Sequence, residues 1–176
     1  GLRVMMPEAW FELDDATRRE AIEQAAAQTG QAVHILEKDV WVVWALSVLY
    51  GSTFAEDLTF KGGTSLSKVY KLIDRFSEDI DLTYDISRLV PDLADHGFSQ
   101  EMIPETRSSA NRIRKEVSDR LPQWIASEIV PLIESAVARD ATGATVAAEK
   151  DLVTITYPAL TPGNGYVAPT IRLEFG

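Results

Sequence analysis

Residues 58–84 change their hydrophobic period twice, and this segment constrains the fold more than any other part of the chain. Residues 58–61 are a short apolar run closed by two glycines, which is typical of a strand that ends in a tight turn. Residues 64–74 carry apolar side chains at the i, i+3, i+4 and i+7 positions of a helix, and residues 79–84 alternate as a strand with one buried face. The segment therefore predicts a strand, a turn, a helix and a second strand in that order.

The segments on either side add helices and further strands. We expect helices over residues 14–28, 36–50 and 105–139, a loop over residues 91–97, and an antiparallel pair of strands over residues 151–157 and 167–175. The helix over residues 36–50 is apolar on nearly every side, so it should be buried on several faces or lie between two layers. Pro122 and Pro131 should break or kink the long helix. The predicted fold class is α/β (α+β), a mixed β-sheet flanked by helices, with further helices at the N-terminus.

Composition and charge exclude several classes of function. The 176 residues are 45% hydrophobic and 25% charged, as in an ordinary soluble domain, with no cysteine and two histidines. Disulfides, thiol catalysis and a multi-histidine zinc site are therefore not expected. The net charge of −10 argues against a broad basic surface for nucleic acid. With no signal-peptide pattern and no apolar run near the roughly 20 residues of a membrane span, we expect a soluble, cytoplasmic protein without a membrane partner.

The glycine turn that precedes the short helix has the features of an anion site. Gly62 and Gly63 let the backbone approach a ligand closely, and the N-terminus of the following helix offers free N–H groups and a positive dipole end. The hydroxyls of Thr64 and Ser65 can add hydrogen bonds, and Lys68 lies one helical turn further on. The simpler alternative is a tight turn in which Thr64 only caps the helix.

Two acids follow on the next predicted strand. Asp79 and Asp81 are two residues apart, so on a strand they point to the same face. Carboxylates this close repel each other unless a cation lies between them, and hard divalent ions such as Mg²⁺ prefer oxygen ligands. A solvated acidic face is the simpler alternative. Joined to an anion-binding turn one helix upstream, the pair favours a metal beside a phosphate, which phosphoryl or nucleotidyl transfer needs.

The runs GGTSLSKVY and RFSEDIDL together resemble the nucleotidyltransferases of the DNA polymerase beta type, and more specifically the AbiEii/AbiGii group of bacterial abortive-infection and toxin–antitoxin proteins. The resemblance implies a nucleotidyltransferase-type sheet and a metal-dependent toxin that transfers NMP from an NTP to an RNA hydroxyl, such as that of tRNA, or to a protein hydroxyl. It implies two Mg²⁺ ions, with Mn²⁺ as an alternative, an NTP substrate and an antitoxin protein as partner. The nucleotide-binding residues are then Gly62, Gly63, Thr64, Ser65 and Ser77, together with Lys68, and the metal-binding and catalytic residues include Asp79 and Asp81.

The resemblance implies a third metal-binding acid, on the last predicted strand. Thr170, Arg172 and Glu174 share one face of residues 170–175, and apolar residues share the other. The resemblance implies that Glu174 is the third metal and catalytic carboxylate. An Arg–Glu surface pair is the alternative interpretation.

The predicted organisation is an N-terminal helical segment, residues 1–55, packed on a nucleotidyltransferase-like core, residues 56–176. Members of the family continue past the last strand into a helical half that carries a lysine and an arginine–aspartate motif needed at the site. Because the chain stops at Gly176, we expect the core to be truncated at its C-terminus and its activity to depend on the missing part.

Two other functions remain open. One is a catalytically incomplete nucleotidyltransferase-like binding module that acts through a protein partner, and the early C-terminus and the acidic composition motivate it. The other is a glycosyltransferase that uses the Asp79-x-Asp81 pair to hold a metal-bound nucleotide sugar. The position of the glycine turn before the helix speaks against this second alternative.

Basic residues are concentrated in the long helical segment. They are Arg107, Arg112, Arg114, Lys115 and Arg120. We expect them to form a solvated helix face together with the acids interspersed among them. A contact with RNA or another phosphate is the alternative.

Overall fold

A five-stranded mixed β-sheet organises the chain. The structure is a computed structural model that describes residues 7–60, 80–94, 107–160 and 168–176. The strands are β1 (Leu58–Phe60), β2 (Ile80–Tyr84), β3 (Thr145–Glu149), β4 (Leu152–Thr156) and β5 (Thr170–Phe175). They lie in the order β1-β2-β5-β4-β3, and among these strands β2 and β5 form the parallel pair. The predicted α/β class with a mixed sheet is confirmed.

Seven helices accompany this sheet in the described part of the chain. They are α1 (Pro7–Glu12), α2 (Asp15–Thr29), α3 (Val33–Tyr50), α4 (Ile86–Leu89), α5 (Pro91–Ala94), α6 (Arg107–Trp124) and α7 (Val130–Asp140), with a π-helical turn (Ile125–Ile129) before α7. α3 contacts β5 as well as α1, α2 and α7, so it lies between layers as predicted. The predicted boundary at residue 55 stays a prediction. None of these helices combines the length and the apolar character that a membrane span requires.

The sequence pattern of α2 explains both of its ends. The carboxylate of Asp14 accepts a hydrogen bond from the backbone N–H of Thr17 at 2.7 Å and so caps the first turn. Gly30 ends the helix in a left-handed conformation with φ of 75°, which glycine adopts without a steric penalty. The helix predicted over residues 14–28 is therefore present, with a capping residue at each end.

One face of the sheet forms the core. On β5 the alternate residues Ile171, Leu173 and Phe175 are fully buried, and they join one apolar cluster with Leu82 of β2 and Trp44 of α3. Successive strand residues point to opposite faces, so the residues between them project from the other side of the sheet. The polar residues of β2 and β5 consequently share the face away from the core.

The prolines of the long helical segment do not break it, and a π-helical turn separates its two α-helices. Pro122 lies inside α6, and Pro131 lies in the first turn of α7. Proline has no N–H to donate, and its ring crowds the carbonyl one turn earlier. The chain widens just before Pro131 into the π-helical turn, where the N–H of Val130 donates to the carbonyl of Ile125. A wider turn, and not a break, accommodates the second proline.

Two further local predictions need correction. Residues 91–94, predicted as a loop, form the short helix α5, which begins with a proline at the position where its missing N–H costs least. β3 has no counterpart among the predicted strands. It pairs along its whole length with β4, from Thr145 opposite Thr156 to Glu149 opposite Leu152. Cross-strand pairing, and not its own residue pattern, defines this strand.

A buried carboxylate ties the segment after β4 to the N-terminal helices. Glu37 of α3 is only 3% exposed, and its Oε1 accepts a hydrogen bond from the backbone N–H of Leu160 at 2.9 Å. Arg19 of α2 donates from Nε to the carbonyl oxygen of Leu160 at 3.1 Å. Burial raises the pKa of Glu37, and the Leu160 hydrogen bond and the charge of Arg18 oppose that rise.

Glu37→Gln should leave the protein at least as stable as the wild type at pH 7. The native pKa of Glu37 is raised, so between the unfolded and the native pKa the native state binds more protons than the unfolded state, and the wild type loses stability as the pH rises through that range. The amide keeps an oxygen for the Leu160 N–H and removes the cost of a buried charge. The advantage of Glu37→Gln should vanish as the pH is lowered below about 4.5, which urea unfolding followed by tryptophan fluorescence would measure.

Glu37→Ala is the matched control, because it removes the charge and the acceptor together. An unpaired, part-buried N–H costs about 1–3 kcal/mol, so this variant should be less stable than Glu37→Gln at every pH. A Glu37→Gln variant clearly less stable than the wild type at pH 7 would contradict the assigned cost of the buried charge.

Candidate active site

The sheet brings two of the predicted catalytic acids together. β2 and β5 are parallel neighbours, and their register sets Asp81 directly opposite Glu174. The two residues are 93 positions apart in the sequence, so their proximity is a product of the fold. Directly opposed residues on neighbouring strands have their Cβ atoms roughly 5 Å apart, which is within reach of a shared ligand.

Both acids project from the face of the sheet away from the core. The residues that flank Glu174, Leu173 and Phe175, are fully buried, and so is Leu82, which follows Asp81. Strand alternation therefore directs the two carboxylates to the opposite side. Both acids are intermediate in exposure, and the side chain of Glu174 is 43% exposed. Both carboxylates are therefore partly accessible to solvent and to a ligand.

The polar face continues on either side of this pair. Thr59 of β1 lies opposite Thr83 of β2, and its hydroxyl donates to the Thr83 carbonyl oxygen at 3.2 Å. On β5, Arg172 lies at 3.8 Å from Glu174, measured from Nη2 to Oε1. This distance is an ion pair but is too long for a hydrogen bond. The Arg–Glu surface pair that the sequence left open is thus present, in a loose form that is compatible with a metal role for Glu174.

The donors at this position suit a hard divalent cation. Asp81 and Glu174 offer carboxylate oxygens, the ligands that Mg²⁺ and Mn²⁺ prefer. Within residues 7–60, 80–94, 107–160 and 168–176, no group of three or more His, Asp or Glu side chains is arranged to hold a metal. Mg²⁺ is usually held by one or two carboxylates, with substrate phosphates and waters completing its shell. The described pair fits that pattern.

The remaining predicted site residues lie outside the described residues. They are Gly62, Gly63, Thr64, Ser65, Lys68, Ser77 and Asp79. β1 ends at Phe60 and β2 begins at Ile80, on either side of them. Phe60 is opposite Leu82, so β1 ends and β2 begins at the same end of the sheet, next to Asp81. The roles of the seven predicted site residues that lie outside the described ranges stay predictions.

Two threonines of the polar face were not among the predicted site residues. Thr59 and Thr83 are opposite each other, and Thr83 lies two residues along β2 from Asp81 on the same face. The alternation of residues 79–84 already directs Thr83 to the face of Asp81, so that pattern is the signal that could have identified it. Trp41 and Trp44, by contrast, are buried, and Trp41 stacks on Tyr157 with ring centroids 4.9 Å apart. Both tryptophans belong to the core, in keeping with the buried helix predicted over residues 36–50.

Comparison with known proteins assigns the chain to a family. Comparisons with curated proteins and with solved structures give no match. The family model of the nucleotidyl transferase AbiEii toxin, of a type IV toxin–antitoxin system, matches residues 44–176. This range covers more than half of the chain and includes all five strands of the described sheet, with Asp81 and Glu174. The chain therefore belongs to the AbiEii family of nucleotidyl transferase toxins.

Proposed function

We propose that this protein is a metal-dependent nucleotidyltransferase that transfers NMP from an NTP to a hydroxyl group of RNA, with tRNA as one acceptor and a protein hydroxyl as the other option. The single observation that carries the proposal is the pairing of Asp81 with Glu174 on the polar face of the sheet. Two ionised carboxylates this close are a poor arrangement for stability alone, because like charges on opposed strand positions repel. A divalent cation removes that conflict.

In this proposal the chain's own residues divide into two sets. Asp81 and Glu174, with Asp79, hold Mg²⁺ or Mn²⁺. Gly62 to Ser65, with Lys68 and Ser77, bind the triphosphate through backbone N–H groups, hydroxyls and one ammonium. When bound, the metal supplies Lewis-acid stabilisation of the charge that develops on the phosphate oxygens and lowers the pKa of the acceptor hydroxyl.

The proposed step is an in-line displacement. The acceptor hydroxyl oxygen forms a bond to the α-phosphorus, the bond from that phosphorus to the α–β bridging oxygen breaks, and pyrophosphate leaves. The hydroxyl proton passes to solvent or to a carboxylate of the site. The products are an acceptor extended by one NMP and free pyrophosphate, so atoms and charge balance without a further reactant.

The cellular setting of the proposal follows from the family. As a member of a type IV toxin–antitoxin family, the protein has an antitoxin as its counterpart. We propose that the toxin acts in the cytoplasm, where NTPs and RNA acceptors are both present, and that residues 56–176 are its catalytic core.

The position of a radiolabel tests the chemistry directly. The protein is incubated with RNA, Mg²⁺ and each NTP in turn, labelled on the α-phosphate in one set and on the γ-phosphate in another. We expect the α-label to become attached to the RNA, the γ-label to leave as pyrophosphate, and EDTA to abolish both. Attachment of the γ-label would instead indicate phosphoryl transfer. No attachment with any NTP, with either Mg²⁺ or Mn²⁺, to RNA or to protein acceptors would refute the proposal.

A further inference from the structure

Helix α6 carries a charge opposite to that of the rest of the chain. Its sequence RSSANRIRKEVSDRLPQW contains five basic and two acidic residues, a net charge of +3. The whole chain has a net charge of −10, so the remaining residues carry −13. A basic helix on an acidic protein attracts anionic partners to that helix and repels them elsewhere.

One of the five cations has a structural role. The guanidinium of Arg120 donates to both carboxylate oxygens of Asp92 at 2.7 and 3.0 Å, and to the carbonyl oxygen of Leu89 at 3.0 Å. Its Nε donates to Glu116 at 3.1 Å. Asp92 and Glu116 accordingly raise the pKa of Arg120, and this network joins α6 to α4 and α5. Arg120 therefore stabilises the packing of α6 on α4 and α5. Glu116, one of the two acids of α6, pairs with it.

The other four cations make no comparable ion pair with the residues that the structure describes. They are Arg107, Arg112, Arg114 and Lys115, which we call the α6 basic face. All four are exposed, and none forms an ion pair within the ranges that the structure describes. At 3.6 residues per turn they fall within roughly 160° of arc and along about 12 Å of the axis. They form a row of charges, which suits a linear polyanion better than a single phosphate.

The composition of this face favours nucleic acid over an acidic protein. The other exposed residues of α6 up to position 119 are polar or acidic: Ser108, Asn111, Ser118 and Asp119. The apolar residues Ile113 and Leu121 of this helix are buried and do not add to the exposed face. Protein interfaces depend on a buried apolar or aromatic centre and are poor in lysine, whereas nucleic-acid surfaces depend on exposed cations that displace counterions from phosphates.

We propose that the α6 basic face binds the phosphate backbone of the acceptor RNA. The inference rests on the proposed function, because it takes RNA as the acceptor. Its four residues are not among the proposed catalytic or nucleotide-binding residues, so in this inference the face holds the body of the RNA and takes no part in the chemistry. Each phosphate contact that a cation makes releases counterions, so binding should weaken steeply with salt.

The test compares three proteins for binding of a fluorescently labelled RNA hairpin with a single-stranded 3′ end, over a range of salt concentrations. The proteins are the wild type, the variant Arg107→Ala/Arg112→Ala/Arg114→Ala/Lys115→Ala, and the charge-preserving variant Arg107→Lys/Arg112→Lys/Arg114→Lys. The alanine variant should bind at least about tenfold more weakly at 0.1 M salt, and its salt slope should fall by about three, close to one per lost phosphate contact. The lysine variant should keep both values. All substituted residues are exposed, so thermal unfolding should be unchanged.

The outcomes separate this inference from the proposed function. Equal RNA affinity and salt slope in the wild type and the alanine variant would overturn the inference, even where nucleotidyl transfer is intact. So would wild-type binding of polyglutamate as tight as that of RNA, since the face would then fit an acidic protein. RNA binding that depends on the face, without any nucleotidyl transfer, would refute the proposed function and leave the inference standing. If transfer to RNA occurs, the alanine variant should raise the KM for RNA and leave kcat unchanged.

Discussion

Asp81→Asn is expected to lower Mg²⁺-dependent nucleotidyl transfer by about a thousandfold or more. The substitution keeps the size of the side chain and removes one of the two charges that face each other across β2 and β5. A metal that stabilises transition-state charge is worth several kcal/mol, and each 1.36 kcal/mol is a factor of ten in rate. The measurement is the initial rate of α-label attachment to RNA at saturating NTP, together with calorimetric titration of Mn²⁺.

The same substitution should make the metal-free protein slightly more stable. Asp81 and Glu174 are like charges on opposed strand positions, a pairing that costs roughly 0.2–1 kcal/mol. Arg172, at 3.8 Å from Glu174, offsets part of that repulsion, so the gain should lie toward the lower end of this range. Substitution of a functional residue is expected to lower activity and to raise stability. If Asp81 were only structural, its substitution would lower both the activity and the stability of the protein.

Thr156→Ala is a suitable control for Asp81→Asn. Thr156 is exposed on β4 opposite Thr170, on the same polar face as the acids but beyond β5 from β2. It should leave Mn²⁺ binding and the transfer rate unchanged. A double variant Asp81→Asn/Glu174→Gln that still arrests bacterial growth would contradict the enzyme proposal and favour the alternative of a binding module that acts through a protein partner.

Elements with a strong period were predictable from the sequence. β2 and β5 each alternate polar and apolar residues, and the fully buried Leu173 and Phe175 sit where that alternation places them. Asp14 and Gly30 likewise mark the ends of α2 by their own chemistry. In these cases the information is local, because side-chain direction or a capping hydrogen bond is fixed within a few residues.

Elements that depend on partners were not predictable. The residues of β3, TVAAE, do not alternate clearly, and that strand is defined by its register with β4. The response of the helix to Pro131 also depends on its surroundings, since buried Ile125 and Ile129 hold the chain in a helical path through the π-turn. Packing of these side chains outweighs the local preference of proline for a break.

The candidate site was predictable in its parts but not in its assembly. The face that carries Glu174 follows from alternation, whereas its position opposite Asp81 requires β5 to insert beside β2 as a parallel neighbour. Residue pattern alone leaves strand order open, and here the resemblance to a family supplied the third acid. The basic residues of α6 show the converse, since all five were visible in the sequence and the fold revealed that one of them, Arg120, is engaged.

Phe175→Ala is expected to lower the free energy of unfolding by about 3–5 kcal/mol, the range for removing a buried aromatic ring. Backbone hydrogen bonds hold β5 in place around this residue. The N–H of Phe175 donates to the Asp151 carbonyl oxygen at 2.8 Å, and that of Gly176 donates to the Leu82 carbonyl oxygen at 2.9 Å. The ring is fully buried and lies 6.0 Å from the ring of Trp124.

The melting temperature of Phe175→Ala should accordingly fall by roughly 10 °C, at about 2–4 °C per kcal/mol for a chain of this size. Arg172→Ala on the same strand is the matched control. Its side chain is 45% exposed and its ion pair with Glu174 is loose, so its loss should change stability by no more than about 0.5 kcal/mol. Similar effects of the two substitutions would mean that the side chain of Phe175 does not point into the core. The orientation of β5 would then be wrong, and so would the position of Glu174 opposite Asp81.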